Sequence, residues 1–201
     1  MVEIIRKQQK NCNSLDLENY LKEVPVMTSP YESRFWTQVY NWKTPTTMRY
    51  PKIPAYYVLR DATVFQPDKA ATDFYGAKIT WDQLYHKVTR MANVLAENGV
   101  KKGDRVGICL PNSPQFVIAF WAVLMAGGVV VNLNPIYTAE ELEFAFKDSG
   151  LTGLVTFDAL MPLIKPLAKK LEIPLVIVTR LSDFMPGGKV STEEELGLEP
   201  G

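Results

Sequence analysis

The chain carries few side chains suited to catalysis, and their types and spacing exclude most catalytic templates. His86 is the single histidine in 201 residues, so a zinc site or a histidine-activated Ser or Cys nucleophile would depend on it alone. It lies two residues after Leu84, off the apolar stripe of its predicted helix, which predicts a solvated surface histidine. No G-x-S-x-G nucleophile elbow accompanies it. The sequence therefore favours neither a zinc enzyme nor a hydrolase of these classes.

The cysteines and clustered glutamates have simpler structural interpretations. Cys12 and Cys109 are far apart in the sequence, and Cys109 lies in an apolar stretch typical of a buried strand. Neither a disulfide framework nor a thiolate metal site is indicated, and a reducing, cytoplasmic setting fits best. Glu140, Glu141 and Glu143 could suggest paired carboxylates. The first two are explained more simply by a helix N-terminus, which favours negative charge.

Phosphate-binding loops of the common kinds are absent from the sequence. It contains neither G-x-G-x-x-G nor G-x-x-x-x-G-K-[ST]. The glycine pair at 127–128 follows a predicted helix and precedes a predicted strand, whereas a phosphate-binding loop follows a strand and precedes a helix. We therefore interpret Gly127 and Gly128 as a helix stop with close backbone packing.

Two asparagines follow predicted strands and are the remaining candidates for ligand contact. Asn112 lies in Leu110–Pro111–Asn112 and Asn134 in Leu133–Asn134–Pro135. Ligands of open α/β sheets bind beyond the carboxyl ends of the strands, where both side-chain amides would lie. Each asparagine also adjoins a proline turn, and turn formation is the default interpretation.

Strands alternate with helices along most of the chain, which predicts an α/β fold: a mostly parallel sheet with helices on both faces. Thr80 with Gln83, and Thr138 with Glu141, form capping boxes that begin two of the helices. Prolines 162 and 166 predict a broken helix. The predicted helices and hairpin cover 54–65, 69–80, 80–99, 116–125, 138–150 and the region of the two prolines; the predicted strands cover 105–110, 129–133, 154–157 and 175–178.

The predicted domains are an N-terminal arm over residues 1–50, an α/β subdomain over 51–181 and a loop or linker over 182–201. In the arm, Phe35, Val39 and Trp42 have the spacing of one helical face. The arm is expected to wrap its own domain. The open alternatives are a homodimer contact and a peripheral membrane contact, because exposed aromatic patches mark interaction sites.

The charge balance and hydropathy limit the partners of the chain. Lys+Arg and Asp+Glu both number 22, and this zero net charge argues against a general nucleic-acid binder. The longest apolar run, residues 116–131, is shorter than the roughly 18 residues of a membrane span and is interrupted by glycines. Residues 116–125 are apolar all round, which demands extensive cover of that helix.

Short motifs follow one another in a fixed order over about residues 51–180. They are Pro67–Asp68–Lys69, Phe74–Tyr75–Gly76, Thr80–Trp81 with Leu84, the stretches 99–106, 110–114 and 126–135, then Tyr137, Glu141–Leu142 and 148–150. In this order and spacing they resemble the N-terminal region of AMP-forming acyl-CoA synthetases, in the adenylate-forming superfamily. Asn-Leu-Asn-Pro-Ile-Tyr is most similar to the medium- and long-chain fatty acid–CoA ligase branch.

The resemblance implies a two-step reaction: a carboxylate attacks ATP to give an acyl-adenylate and pyrophosphate, and the sulfur of CoA then displaces AMP. ATP, Mg²⁺ and CoA would serve the full-length enzyme, with a fatty acid or similar carboxylate as substrate, and none is expected bound to this fragment. The family's Ser/Thr/Gly-rich loop ending in Lys and its later motifs do not occur before Gly201. No catalytic, cofactor-binding or metal residue is therefore assigned, and the fragment alone is expected to be inactive. The alternative is a self-standing, non-catalytic α/β binding or scaffold module.

Overall fold

The computed structural model describes residues 34–48 and 50–188. The chain divides into two compact units, Met1–Pro51 and Lys52–Gly201. The described part of the first unit contains a short 3-10 helix, Phe35–Val39. Cys12 lies outside the described residues.

The second unit begins with a helix and a hairpin and continues as an α/β alternation. In chain order, the helices are α1 (Tyr57–Phe65), α2 (Trp81–Glu97), α3 (Pro114–Met125), α4 (Ala139–Ser149) and α5 (Met161–Lys170). The strands are β1 (Ala70–Phe74), β2 (Ala77–Thr80), β3 (Arg105–Cys109), β4 (Val129–Asn132), β5 (Gly153–Phe157) and β6 (Val176–Thr179). Two further 3-10 helices are Asp158–Leu160 and Leu181–Phe184.

The main sheet has four strands in the order β4-β3-β5-β6, and every pairing in it is parallel. The predicted α/β fold with a mostly parallel sheet is confirmed. A separate antiparallel hairpin joins β1 to β2. Its turn places Tyr75 at φ 52° and Gly76 at φ 91°, the left-handed pair that a tight hairpin turn requires.

Two hydrophobic clusters cover opposite faces of the sheet, as the alternation along β3 requires. Val106 and Ile108 of β3 face the first cluster, whereas Cys109 faces the second. Helices α2 and α3 supply most of the first cluster, and α4 and α5 most of the second. The predicted helices on both faces are therefore present.

Local sequence signals set the helix boundaries. The hydroxyl of Thr80 accepts a hydrogen bond from the Gln83 backbone N–H, and the Gln83 side chain accepts one from Thr80 N–H. Thr138 and Glu141 make the same reciprocal pair at the start of α4. Both predicted capping boxes are confirmed. Gly99 at φ 89° follows the C-cap of α2, and Gly150 at φ 59° is the C-cap of α4, as left-handed caps should be.

The glycine pair between α3 and β4 acts as the predicted stop. Gly127 has φ 85°, which L side chains rarely adopt. A Cβ on Gly128 would lie 3.0 Å from Val123 Cγ1 and 3.2 Å from the Asp104 carbonyl oxygen. The pair therefore ends a helix and brings the next strand close to it.

Helix α3 is covered within this chain. None of its residues is exposed: six are buried and the other six are partly buried. Helix α2, the hairpin and the sheet supply this cover. The chain thus supplies much of the cover that the apolar sequence demands, while large side chains such as Phe116, Phe120 and Trp121 keep part of their surface exposed.

Three local predictions are wrong. Helix α5 is continuous through Pro166, not broken. Pro162 lies in the first turn of the helix, where a backbone N–H would have no helical partner. Pro166 lacks the N–H that would bond the carbonyl four residues earlier. Both prolines are exposed, so water can bond that carbonyl instead. The other two errors concern helix faces, on α1 and in the arm.

Helix α1 begins at Tyr57, so Ala55 precedes it, and Leu59 is its one buried residue. The spacing of Ala55, Val58, Leu59 and Ala62 predicts one apolar face for this helix. Val58 is instead 65% exposed, because it lies 100° round the helix from Leu59. In the arm, the 3-10 helix ends at Val39, before Trp42. Trp42 therefore does not share a helical face with Phe35.

Across the described ranges, no helix has the length and apolar character needed to cross a membrane.

Candidate functional site

The carboxyl edge of the parallel sheet is where the topology predicts a ligand crevice. The connection after β3 runs through α3 on one face, and the connection after β5 runs through α5 on the other. β3 and β5 are neighbours, so the chain diverges above and below the sheet between them. Such a topological switch point is the usual ligand position in open α/β sheets.

Of the two predicted asparagines, one forms a turn and the other is exposed to solvent. The side-chain oxygen of Asn134 accepts a hydrogen bond from the Ile136 backbone N–H at 3.1 Å, and its carbonyl accepts one from Tyr137 N–H at 3.1 Å. Asn134 therefore forms the turn that its neighbouring proline indicated. Asn112 is exposed in the bend between β3 and α3.

The polar groups that do meet at this edge come from three other places in the sequence. Gln115, the second residue of α3, donates from Nε2 to the Arg180 carbonyl at 2.8 Å. Arg180 follows β6, and its Nε lies 3.5 Å from Oδ2 of Asp158, which follows β5. The carboxylate of Asp183 accepts from the Arg180 backbone N–H at 3.4 Å.

Sequence reasoning missed this network, although one signal was present. Gln115 is the single amide in a helix of otherwise apolar side chains. It is 5% exposed, and a buried amide needs hydrogen-bond partners. Its Oε1 atom is buried without a hydrogen-bond partner in the described structure, so Nε2 provides its link to the rest of the fold.

The other candidates lie where a structural role explains them. His86 is on the exposed face of α2, with Nε2 at 3.6 Å from Asp82 Oδ1, so the predicted surface histidine is confirmed. Cys109 is fully buried, and burial raises the pKa of its thiol to about 11. Such a thiol is a core residue and a poor nucleophile at neutral pH.

The carboxylate of Glu141 accepts the Thr138 N–H hydrogen bond of its capping box, and Glu143 is paired with two lysines. Hydrogen bonds from Lys147 and Lys170 lower the pKa of Glu143 to about 2. Glu143 therefore stays ionised as a structural anion between α4 and α5, and no carboxylate pair for acid–base catalysis forms here.

Metal-ligating side chains do not cluster among the described residues. Over these residues, no group of three or more His, Cys, Asp or Glu side chains could hold a metal ion. The network of Gln115, Asp158 and Arg180 is an internally paired set that joins strand ends. This network can hold the strand ends in place, but it contains no activated nucleophile and no paired acid and base for catalysis.

Comparisons with known proteins identify the fold and its relatives. Residues 59–198 match the family model described as AMP-binding enzyme. The chain is 35% identical over 151 residues to a long-chain-fatty-acid–CoA ligase of Bacillus subtilis, covering 75% of this chain and 27% of that protein. It thus spans about a quarter of the length of this curated relative.

Solved structures show the same fold. A long-chain-fatty-acid-CoA ligase from Archaeoglobus fulgidus superimposes with a TM-score of 0.63 at 27% identity, over 75% of this chain and 33% of that one. The N-terminal domain of FACL13 from Mycobacterium tuberculosis gives 0.56 at 27% identity, over 61% and 33%. The fold is that of the N-terminal subdomain of adenylate-forming ligases. With the family model matching more than half of its residues, the chain belongs to the AMP-binding enzyme family.

Proposed function

We propose that this chain is the N-terminal α/β part of a fatty acid–CoA ligase, which activates a carboxylic acid with ATP and transfers the acyl group to CoA. The observation that carries the proposal is the 35% identity over 151 residues to the Bacillus subtilis long-chain-fatty-acid–CoA ligase. ATP, Mg²⁺ and CoA are the cosubstrates of the full-length enzyme, and a fatty acid or similar carboxylate is its substrate.

The role of this part is to supply a rigid scaffold. Two hydrophobic clusters and the polar network at the strand ends hold the sheet and its helices. The 201-residue chain alone is then inactive, because the loop that stabilises charge on the phosphates lies in later sequence of the family.

Pyrophosphate exchange tests the inactivity. The 201-residue chain, given ATP, Mg²⁺ and a series of fatty acids, should not return labelled pyrophosphate into ATP. The positive control is a fusion of this chain to the part of the Bacillus subtilis ligase that follows the matched region. Its exchange activity is compared with that of the Bacillus subtilis part alone. Exchange by the 201 residues alone would contradict the inactivity, and failure of the joined protein would count against the ligase.

The second candidate is a self-standing, non-catalytic α/β binding or scaffold module. One observation favours it: every residue of α3 is at least partly buried by this chain itself. Sequencing the gene beyond the codon for Gly201 separates the two. A downstream loop similar to T/S-G-T-T-G-x-P-K supports the ligase, whereas a stop codon supports the module.

The location and assembly of the protein are also proposals. We place it in the cytoplasm, with the arm of residues 1–50 as the site of any homodimer or membrane-surface contact. Exposed aromatic side chains in the arm support the contact site. The most exposed of them is Trp42, with 87% of its surface accessible. Sedimentation of the chain with and without residues 1–50 tests the dimer, and an unchanged mass would exclude it. Flotation with liposomes tests the membrane contact.

A further inference from the structure

After β6 the chain turns across the carboxyl edge of the sheet. Residues 180–184, here called the strap, begin directly after β6 and include the 3-10 helix Leu181–Phe184. Gln115 Nε2 reaches the carbonyls of Arg180 at 2.8 Å and Leu181 at 3.5 Å. Because Gln115 lies just beyond β3 and the strap just beyond β6, the strap spans the end of β5 between them.

The strap is held from both sides of the sheet's switch point. On the β5 side, Arg180 pairs with Asp158. On the α2 and α3 side, Phe184 packs against the first hydrophobic cluster, and Lys87 of α2 lies over its ring at 5.2 Å from the centroid. Beneath it, the buried hydroxyl of Thr156 in β5 donates to the Cys109 carbonyl of β3 at 3.4 Å.

These contacts differ in how well water is excluded from them. The Arg180–Asp158 pair is partly exposed, and exposed ion pairs contribute little because solvent screens them. The Arg180 carbonyl also accepts from Asp183 N–H at 3.2 Å, but that bond lies within the strap. The short bond from the buried Gln115 side chain instead joins the strap to α3, at a site from which water is excluded. Gln115 is therefore the main fastening of the strap.

We propose that the strap closes the switch-point crevice of this sheet and that Gln115 is its latch. The position at which open α/β sheets ordinarily bind ligands is then filled by the protein's own backbone, and nucleotide is excluded from it. The proposal rests on the network of this chain and holds whether or not the whole protein is a ligase.

Hydrogen exchange of the full 201-residue chain tests the latch. In the wild type, the amides of Asp183 and Met185, which bond to Arg180 and Ser182 carbonyls, should be protected. Gln115→Leu keeps the side chain's bulk and removes the donor. Exchange over residues 181–185 should rise about three- to tenfold, the value of one such hydrogen bond, while β3 and β5 keep their protection. Asn112→Ala, in the exposed bend nearby, is the matched control and should change nothing.

Two results would overturn the proposal. An unprotected strap in the wild type excludes a closed crevice, and this measurement needs no variant, so it stands even if Gln115→Leu fails to fold. Added AMP is the second probe. Protection by AMP of residues 110–113 and 157–160 would show an open nucleotide site at this edge, whereas a closed crevice predicts no change there.

Discussion

The ammonium of Lys170 on α5 donates a hydrogen bond to the carboxylate of Glu143 on α4 at 2.9 Å. The same carboxylate also accepts from Lys147, one turn further along α4. One acidic residue thus joins two helices on the same face of the sheet. The apolar periodicity of neither helix predicts this contact, because Glu143 and Lys170 are 27 positions apart in the sequence.

This arrangement predicts a pH-dependent contribution to stability. The two lysines lower the pKa of Glu143 from 4.5 to about 2, so the folded state binds the proton less tightly than the unfolded state. The stabilisation is therefore complete above about pH 4.5 and is lost as the pH falls toward 2. Urea unfolding from pH 7 to pH 2.5 should show Glu143→Gln less stable than the wild type at neutral pH, with the difference shrinking steadily below about pH 4.5.

The matched control for that experiment is Glu140→Gln, in the exposed first turn of the same helix. Its effect should not follow the pH profile of Glu143→Gln. Equal profiles for the two variants, or a Glu143 effect as large at pH 2.5 as at pH 7, would contradict the bridging role.

The capping box of α4 gives a second prediction. Thr138→Ala removes the acceptor of the Glu141 N–H and should lower the free energy of unfolding by about 1 kcal/mol. Chemical denaturation measures this, with Thr46→Ala, an exposed threonine in the first unit, as the control. A Thr138→Ala midpoint equal to that of the wild type would mean that the box adds nothing to stability.

Two glycines should respond in opposite ways to the same substitution. Gly127→Ala forces an L side chain into φ 85° and should cost about 1–2 kcal/mol. Gly153→Ala, in β5 without a positive φ, places its Cβ at an ordinary 3.6 Å from Val106 and should be neutral or mildly stabilising through the unfolded chain. Thermal unfolding of the pair measures both signs. Equal changes in melting temperature for the two variants would show that the backbone φ of the glycine does not determine the effect.

The thiol of Cys109 should be inert in the folded protein. Burial raises its pKa to about 11, so at pH 8 the reactive thiolate is scarce as well as shielded. Treatment with iodoacetamide at pH 8, followed by peptide mass spectrometry, should leave Cys109 unmodified until urea unfolds the chain. Rapid labelling under native conditions would place this residue at an accessible surface.

The sequence by itself determined most of the elements of the α/β unit, and the ends of those helices that carry capping boxes or left-handed glycines. Capping boxes, left-handed glycines and alternating apolar residues act over a few neighbouring positions, so Thr80, Thr138 and Gly127 could be read without a structure. The same local signals predicted the parallel α/β fold, because a parallel sheet needs crossover connections and helices between strands supply them.

Tertiary structure decided which polar side chains meet. Gln115 and Arg180 are 65 positions apart, and the strand order that brings β6 beside β5 creates their contact. It also decided that α1 buries Leu59 and exposes Val58, and that α3 is covered inside this chain. Local patterns state that an apolar surface must be covered; only the packing of distant elements selects what covers it, because burial depends on the whole surrounding protein.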